Sequence, residues 1–386
     1  MRIVVTGGGT AGHVTPLLAV ASEFKSKHPK AEIRYVGNYG DRFANLADSS
    51  QGIDGSWRIL AGKFRRYHGV SKWIYVKDLR IGLRNLRDFF YFLTGLIQSV
   101  WLLLWWRPSV VFVKGGFVGL PVGLAAAFLR IPIVTHDSDT LPGLTNRVLS
   151  RFARFSCVAM PEEFYSYPAA KIRRTGLPIR PEWKEVTKAV KLAAREQLNI
   201  PQDAFVISVI GGSLGAVRLN NAVMSIARKY LSQQDAWLLH VTGANQHKEV
   251  KLFYESLPAH EYDRVLLWPY SDELHTISAA SDIVVTRAGS TIHELSVQQK
   301  TTILVPNPVL TGGHQTINAR AIADMKAAIV VTEADIAETN GTVLLDAVEN
   351  LRNNPAQATE LARKLGTLAI PDATKRIVAV IEEAAR

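Results

Sequence analysis

Short apolar, β-branched runs alternate with longer amphipathic stretches along the chain. RIVVTG precedes PLLAVASEFKSK, SVVFVKGG precedes LPVGLAAAFL, and PIVTH precedes GLTNRVLSRFA. The short runs are typical of buried strands, and the longer stretches predict helices that carry the chain back to start the next strand in the same direction. This alternation predicts a parallel sheet covered by helices, which is the α/β fold class.

The alternation restarts after GLPIRPEWK, where AFVISVIGG leads into VRLNNAVMSIARKYL. Both halves therefore open with a strand, a glycine-rich turn and a helix, and 386 residues suit two domains of about 100–200 residues each. We predict two Rossmann-like, doubly wound domains that face a central cleft, over residues 1–178 and 179–370. The sequence leaves open which domain the last helix, residues 371–386, packs against, and the N-terminal domain is the expected partner.

Positive charge is concentrated in the first half of the chain. Residues 1–180 carry 25 Lys and Arg against 11 Asp and Glu, whereas residues 181–386 carry 20 against 23. A basic half suggests nucleic acid, an anionic membrane or a phosphorylated substrate as partner, although it also suits a merely soluble surface. The single cysteine, Cys157, excludes a disulfide scaffold and a cysteine-based zinc site, so we expect a cytosolic protein. The opening MRIVVTGGG lacks a basic n-region, an apolar h-region and a cleavage site, so we expect no signal peptide.

One segment, FFYFLTGLIQSVWLLLWW at residues 89–106, approaches the length and hydropathy of a membrane span. Its polar residues weaken that interpretation, and the strand VVFVKGG follows too soon for a translocated loop. Three alternatives stay open: a span, a helix partly buried in the α/β domain, and a helix whose aromatic face also touches lipid. The last two are compatible, and we expect a peripheral protein on the cytoplasmic face of the cell membrane.

The glycine-rich loop GGGTAGH, residues 7–13, allows backbone to approach a ligand closely, and its amides at a helix N-terminus favour phosphate. The loop fits the dinucleotide pattern GxGxxG, but the next strand, EIRYVGN, lacks the acidic residue expected to bind a ribose, so NAD is a minor alternative. His13 places an imidazole beside the anion site. It is a candidate general base, the alternative being a residue that only caps the helix.

Three later loops have related chemistry. GGSLGA at residues 211–216 offers Ser213 and backbone amides to a second phosphate. RAGSTIHE at residues 287–294 places Glu294 one turn into a helix, where its carboxylate is suited to accept two ribose hydroxyl protons, the alternative being a surface glutamate. GGHQ at residues 312–315 supplies imidazole and amide groups suited to sugar hydroxyls, although this stretch is ambiguous by itself.

Seven motifs follow one another over nearly the whole chain: GGGTAGHVTP, KGGFVGLPVGLAA, HDSDTLPGLTN, GLPIR, GGSLGAVRLN, RAGSTIHEL and HQTINA. In this order they resemble the MurG-type glycosyltransferases. That family transfers N-acetylglucosamine from UDP-N-acetylglucosamine to lipid I, a muramyl-pentapeptide joined through pyrophosphate to a polyprenyl lipid, in peptidoglycan synthesis. The resemblance implies the GT-B fold, which agrees with the two domains predicted above.

The resemblance also implies roles for individual residues. It makes His13 the catalytic base and Glu294 the ribose ligand. It assigns the donor diphosphate to Arg180 and Ser213. The other positions that it places at the sugar, the uracil or the cleft are Thr10, Ala11, Gly12, Asp139, Asn146, Tyr270, Ser271, Gly289, Ser290, Thr291, His314 and Gln315.

Two departures from the family pattern affect the donor side. The family usually reads His-Glu-Gln-Asn where this chain reads His136-Asp137-Ser138-Asp139, so a carboxylate replaces an amide expected to meet the sugar. RAGSTIHE is also one residue shorter than the usual glycine-rich stretch ahead of Glu294. These departures leave the identity of the donor less constrained than the type of reaction.

The combined expectation is an inverting hexosyl transfer without metal or cofactor. His13, or alternatively Asp137, deprotonates the acceptor hydroxyl while the donor phosphate leaves. Asp137 and Asp139 would form an Asp-x-Asp metal motif, but in the family pattern they belong to the donor loop.

The expected partners are UDP-N-acetylglucosamine, a polyprenyl-pyrophosphate acceptor and an anionic membrane, with no nucleic acid. Three rivals stay open: transfer to another lipid such as diacylglycerol, a UDP-N-acetylglucosamine 2-epimerase, and a non-catalytic membrane-recruitment module.

Overall fold

The computed structural model describes residues 1–9, 11–41, 43–63, 79–212, 215–309 and 313–386. The chain divides into two compact units, Met1–Ile179 with Ile370–Arg386, and Arg180–Ala369. Each unit contains one sheet in which every described strand pair is parallel. The predicted α/β class with two Rossmann-like units is therefore confirmed.

The first unit is built on a seven-stranded sheet. Its strands are β1 (Arg2–Gly7), β2 (Glu32–Asn38), β3 (Gly55–Ile59), β4 (Val110–Gly115), β5 (Ile133–Asp137), β6 (Phe155–Val158) and β7 (Ile172–Arg174). Its helices include α1 (Ala11–Lys27), α2 (Ala44–Asp48), α3 (Leu79–Trp106), α4 (Gly116–Phe128) and α5 (Leu144–Leu149). The strand order β3-β2-β1-β4-β5-β6-β7 changes direction between β1 and β4, the switch point at which such sheets bind ligands.

The second unit is built on a six-stranded sheet. Its strands are β8 (Phe205–Ile210), β9 (Ala236–Val241), β10 (Val265–Trp268), β11 (Ile283–Thr286), β12 (Thr301–Leu304) and β13 (Ile329–Val330). Its helices are α6 (Lys188–Gln197), α7 (Val217–Leu231), α8 (His247–Glu255), α9 (Ala259–Tyr262), α10 (Leu274–Ala280), α11 (Thr291–Gln298), α12 (His314–Asp324), α13 (Glu333–Glu338), α14 (Thr342–Asn353) and α15 (Pro355–Gly366). The order β10-β9-β8-β11-β12-β13 places the switch point between β8 and β11.

The last helix, α16 (Ala373–Ala385), returns to the first unit. Its Ile377 and Ile381 are buried in one core with Leu17 and Phe24 of α1. The apolar face that the sequence gives this helix is thus covered by α1 and the sheet. The first unit is completed by a segment that lies about 200 residues further along the chain.

Helix α3 is attached to the first unit through small residues. A Cβ on Gly95 would lie 1.8 Å from the carbonyl oxygen of Leu60, and a Cβ on Gly62 would lie 1.7 Å from that of Asp88. Glycine at both positions therefore allows helix backbone to pack directly on loop backbone, and Leu103 is buried on the same side. The helix is partly buried in the α/β unit.

The outer side of α3 is apolar and open to solvent. Only 22% of its most apolar stretch of 18 residues is buried, and by length and composition Gly82–Trp106 is able to cross a membrane. The large exposed side chains on this helix are Leu83, Leu86, Phe89, Phe90, Tyr91, Leu93, Ile97, Trp101, Leu104 and Trp105. Contiguous apolar surface of this size is typical of a membrane or protein interaction site.

Candidate active site

Two glycine-rich turns meet at the switch point of the first sheet. Gly8 follows β1, while Gly115 ends β4 and Gly116 begins α4; the last two have φ values of 111° and 78°, which favour glycine. A Cβ on Gly116 would lie 2.5 Å from the carbonyl oxygen of Gly8. The absence of side chains at these positions brings the two turns together beside the first turn of α1.

His13 lies next to these turns with a defined tautomer. Its Nδ1 is 3.1 Å from the carbonyl oxygen of Gly8, and because a carbonyl only accepts, Nδ1 carries the proton. Nε2 then carries the lone pair, and a Cβ on Gly115 would lie 3.8 Å from it. Burial, followed by the positive charge of Lys114, lowers the pKa of His13 to about 4. The imidazole is neutral at physiological pH and is oriented as a proton acceptor.

Asn146, a predicted cleft residue, also lies beside Gly115. A Cβ on that glycine would lie 3.7 Å from both polar atoms of the Asn146 amide. The Nδ2 donates to the carbonyl oxygen of His136 at 2.8 Å and to Asp137 Oδ1 at 2.9 Å. The Oδ1 is buried and has no hydrogen-bond partner among the described residues. A buried acceptor of this kind, close to His13 Nε2, suits a hydroxyl donor from a substrate.

Asp137, the alternative base, is held by several donors. The carboxyl group is only 5% exposed, and its Oδ2 accepts a hydrogen bond of 3.0 Å from Tyr167 in addition to the bond from Asn146. Burial raises the pKa of Asp137 to about 6, against the opposing effect of these donors and of Lys114. This geometry is typical of a positioning acceptor, and it favours His13 over Asp137 as the proton acceptor.

Lys114 is a residue of this cluster that the sequence analysis missed. It is 3% exposed, and its Nζ donates to Ser138 Oγ at 2.7 Å. Burial lowers its pKa to about 8, while Asp137 and Asp139 raise it. The negative charge of Asp139 also raises the pKa of His13. One buried ammonium therefore offsets two carboxylates of HDSD, and the available signal was a lysine in an otherwise buried strand directly ahead of two glycines.

The first glycine loop differs from the expected phosphate cradle. Its Gly9 amide donates to Asp41 Oδ2 at 2.8 Å, so a carboxylate of the chain itself occupies this donor. Gly12 is exposed in the first turn of α1, and Ala11 begins that helix. The predicted contacts of Thr10 and Ser213 lie outside the described residues.

The second sheet brings several predicted donor residues together. Glu294 lies in the first turn of α11, and burial raises its pKa to about 7, while the charge of Arg180 and a hydrogen bond with Thr291 lower it. Arg180 also donates from Nη2 to the carbonyl oxygen of Asp272 at 3.1 Å, beside residues 270–271. Within this unit, Arg180 is therefore close to both the ribose candidate and the uracil candidates.

Residues 270–271 use their own side chains locally. The Tyr270 hydroxyl donates to Asp272 Oδ1 at 2.8 Å, although the ring is 57% exposed. The Ser271 Oγ accepts from the amide of Glu273 at 3.0 Å. These bonds shape the turn after β10.

Gln315 connects two other loops of the second unit. Its Oε1 accepts from the amide of Asn307 at 2.8 Å, and its Nε2 lies 3.9 Å from the position of a Cβ on Gly289. Ser290 follows that glycine and precedes α11, and His314 begins α12 half-buried. The amide donor of Gln315 therefore faces the glycine turn that leads to Glu294.

A buried carboxylate, which the sequence analysis also missed, joins the loops after β8 and β11. Glu333 Oε1 lies 2.7 Å from Arg287 Nη2, and its Oε2 lies 2.8 Å from Arg218 Nη1. Arg287 further donates from Nη1 to the carbonyl oxygen of Val305 at 2.9 Å. Arg287 begins RAGSTIHE and Arg218 follows GGSLGA, so one ion-pair network holds both predicted donor loops. In the sequence, the only indication of this network is that each arginine lies beside one of the two loops.

The two units share the features of nucleotide-sugar enzymes of the GT-B class: a 3-2-1-4-5-6 strand order in the second sheet, glycine turns at both switch points and an acid in the first turn of the helix after β11. Among the residues that the structure describes, no group of three or more His, Cys, Asp or Glu is placed to bind a metal ion. A fold of this class serves several reactions.

The N-terminal domain of glycosyltransferase family 28 matches residues 3–156, and its C-terminal domain matches residues 206–377. A Desulforudis audaxviator protein, named UDP-N-acetylglucosamine--N-acetylmuramyl-(pentapeptide) pyrophosphoryl-undecaprenol N-acetylglucosamine transferase, is 35% identical over 100% of this chain and 99% of its own. The chain therefore belongs to the MurG-type branch of glycosyltransferase family 28.

Two solved structures share the fold. Acinetobacter baumannii MurG has a TM-score of 0.73 with 24% identity and covers 99% of both chains. A UDP-GlcNAc 2-epimerase from Neisseria meningitidis has a TM-score of 0.61 with 15% identity, over 99% of this chain and 100% of its own. The fold alone therefore does not separate a transferase from an epimerase, whereas the sequence relatives do.

Proposed function

We propose that the protein transfers N-acetylglucosamine from UDP-N-acetylglucosamine to a muramyl-pentapeptide that is linked through pyrophosphate to a polyprenyl lipid. The observation that carries this proposal is the 35% identity, over the whole chain, to a relative named for that reaction. The His13 tautomer and the buried Asn146 carbonyl in the first unit support an acceptor hydroxyl at that point.

In the proposed reaction the acceptor hydroxyl donates towards His13 Nε2, which takes its proton as the new glycosidic bond forms. The bond between the anomeric carbon and the diphosphate breaks at the same time, UDP leaves with the electron pair, and the anomeric configuration inverts. Arg180 and Ser213 offset the charge of the leaving diphosphate. Glu294 accepts from the ribose hydroxyls, and Gln315 binds the sugar.

The acceptor can be tested directly with purified protein. UDP-N-acetylglucosamine and UDP-glucose are each offered with lipid I or with diacylglycerol, in buffer with and without a chelator, and the labelled lipid is identified. We expect sugar transfer from UDP-N-acetylglucosamine to lipid I alone, unchanged by the chelator. Transfer to diacylglycerol, conversion of the free donor to its 2-epimer, or loss of activity on chelation would each contradict the proposal.

We further propose that the protein is peripheral to the cytoplasmic leaflet and that the outer face of α3 inserts at the bilayer surface. Exposed tryptophans such as Trp101 and Trp105, which stack at 6.3 Å, are typical interfacial anchors. The basic first half of the chain supplies the charge that anionic headgroups attract, at about 1 kcal/mol for each Lys or Arg near the surface. The close packing of α3 on the loop after β3, with Gly95 against Leu60 and Asp88 against Gly62, supports a helix that stays with its unit and does not span the membrane.

Vesicle binding separates the contribution of positive charge from that of the apolar face of α3. Wild-type protein is expected to bind vesicles that contain anionic lipid at low salt and to be released in part by high salt, because the charge contribution is screened. Changing Arg65, Arg66, Lys72 and Lys77 to Gln, in a segment outside the described residues, should remove the salt-sensitive part. Changing Trp101 and Trp105 to Gln should remove the salt-resistant part.

The control is Leu252→Gln, which alters an equally exposed apolar side chain in the second unit and should leave vesicle binding unchanged. A wild type that ignores anionic vesicles at low salt would contradict the proposal. So would protein that only detergent extracts from membranes at any ionic strength, since this behaviour is typical of a span.

A further inference from the structure

An open cavity of about 200 Å³ lies beside the two glycine turns of the first unit, and its walls are mostly apolar. Phe117 and Leu120 line it from α4, and Leu144 lines it from the start of α5. Gly116 also lines the cavity, and a Cβ on this glycine would lie 3.3 Å from His13 Nδ1. The cavity is therefore adjacent to the candidate base.

The same cavity reaches the N-terminal half of α3. Gly62 lines it, and a Cβ there would lie 1.7 Å from the carbonyl oxygen of Asp88 in that helix. Around Asp88 the helix exposes Leu86 by 54%, Phe89 by 45% and Phe90 by 57%. The cavity thus joins residues next to His13 to residues next to the exposed apolar side of α3.

Positive charge accompanies these apolar walls. The Lys63 ammonium lies 6.0 Å from the centre of the Phe117 ring. Gly116 begins a helix of 13 residues, whose N-terminus carries a partial positive charge, and Thr145 Oγ1 donates to the Gly116 carbonyl at 2.8 Å. An apolar cavity with a cationic side chain and a helix N-terminus beside it suits a hydrocarbon attached directly to a phosphate.

We propose that this cavity binds the isoprenoid units nearest the phosphate of the lipid-linked acceptor. The proposal rests on the proposed function and deepens it, because it makes the start of the hydrocarbon chain, and not only the sugar, a recognised part of the substrate. The rest of the chain leaves along the apolar side of α3 towards the bilayer. Acceptors without a prenyl group are consequently poor substrates even when no membrane is present.

Gly143 permits a sharp test of this assignment. It lines the cavity with φ −60° and ψ 153°, a conformation open to any residue, and a Cβ there meets no atom within 4 Å. Gly143→Phe therefore places a large side chain at the wall of the cavity without backbone strain. Gly143→Ala is the matched control, because it changes the same backbone position and leaves most of the volume empty.

Three detergent-dispersed muramyl-pentapeptide pyrophosphates serve as acceptors, carrying a long polyprenyl chain, two isoprene units or a methyl group. For the wild type we expect the KM of the methyl acceptor to exceed that of the two-unit acceptor by roughly tenfold or more, given the apolar area that an isoprene unit buries. Gly143→Phe should raise KM about tenfold for both prenyl acceptors. The donor KM, the KM of the methyl acceptor and all constants of Gly143→Ala should stay within about twofold.

A second variant, Leu144→Asn, places a neutral polar group on the wall at a side chain that is already 36% exposed, and it should give the same pattern if Gly143→Phe fails to fold. Equal KM changes for methyl and prenyl acceptors, or a loss of vesicle binding with unchanged acceptor KM, would overturn the cavity assignment. Absence of transfer to every muramyl acceptor by the wild type would instead contradict the proposed function itself.

Discussion

Replacing His13 with Ala is expected to lower turnover by roughly 10²–10⁴ while UDP binding stays nearly intact. In the proposed reaction the imidazole takes the proton of the acceptor hydroxyl, and it lies in the first unit, whereas the candidate donor ligands lie in the second. Turnover at saturating substrates and the dissociation constant of UDP provide the two measurements. His260→Ala, at an exposed histidine of the second unit, is the control and should leave both unchanged.

The pH profile tests the same assignment in a second way. With a pKa of about 4, His13 is neutral from pH 8 down to about pH 5, so its titration adds no loss of activity within that interval. Asp137, with a pKa of about 6, would lose its charge there as the pH falls. Turnover within about threefold of wild type in His13→Ala, with an acid limb near pH 6, would move the role to Asp137.

Local signals in the sequence were sufficient for the fold class and for the position of the glycine turns. Strand runs that end directly in glycines, as at Gly7 and Gly115, place those glycines at the carboxyl edge of a parallel sheet, where neighbouring strands bring them together. The apolar segment of α3 was also evident. Its attachment was not, because Gly95 and Gly62 acquire their role only where they meet Leu60 and Asp88.

The charge partners could not be predicted from local patterns. Lys114 ends up beside HDSD because β4 and β5 pair in parallel, with Val113 opposite Thr135, a register that sequence periodicity does not specify. Glu333 meets Arg287 and Arg218 from positions that are far apart along the chain. Asp41 likewise accepts a hydrogen bond from the amide of Gly9, 32 residues away along the chain. Long-range partners of this kind determine which candidate groups are ionised. The charge state of the site could therefore not be predicted from the sequence.

Replacing Glu294 with Ala is expected to raise the donor KM by roughly 10–100-fold and to change turnover much less. A carboxylate that accepts from two ribose hydroxyls contributes to ground state and transition state alike, and hydrogen bonds to charged groups contribute about 1.5–3 kcal/mol. Donor KM and turnover are measured separately for Glu294→Ala and for Glu338→Ala, an exposed glutamate of the same unit that should behave as wild type. An unchanged donor KM would remove Glu294 from the site.

The raised pKa of Glu294 makes UDP binding depend on pH in a direction that can be stated in advance. At a pKa of about 7, the free enzyme carries the carboxylate above neutrality and the neutral acid below it. Since only the carboxylate accepts from both ribose hydroxyls, UDP binding favours the ionised form and releases a proton near neutral pH. The dissociation constant of UDP should therefore increase as the pH falls from about 8 to about 6, by at most tenfold per unit. Glu294→Gln should bind UDP more weakly and with little pH dependence over that interval, and an equally steep dependence in this variant would assign the titration to another group.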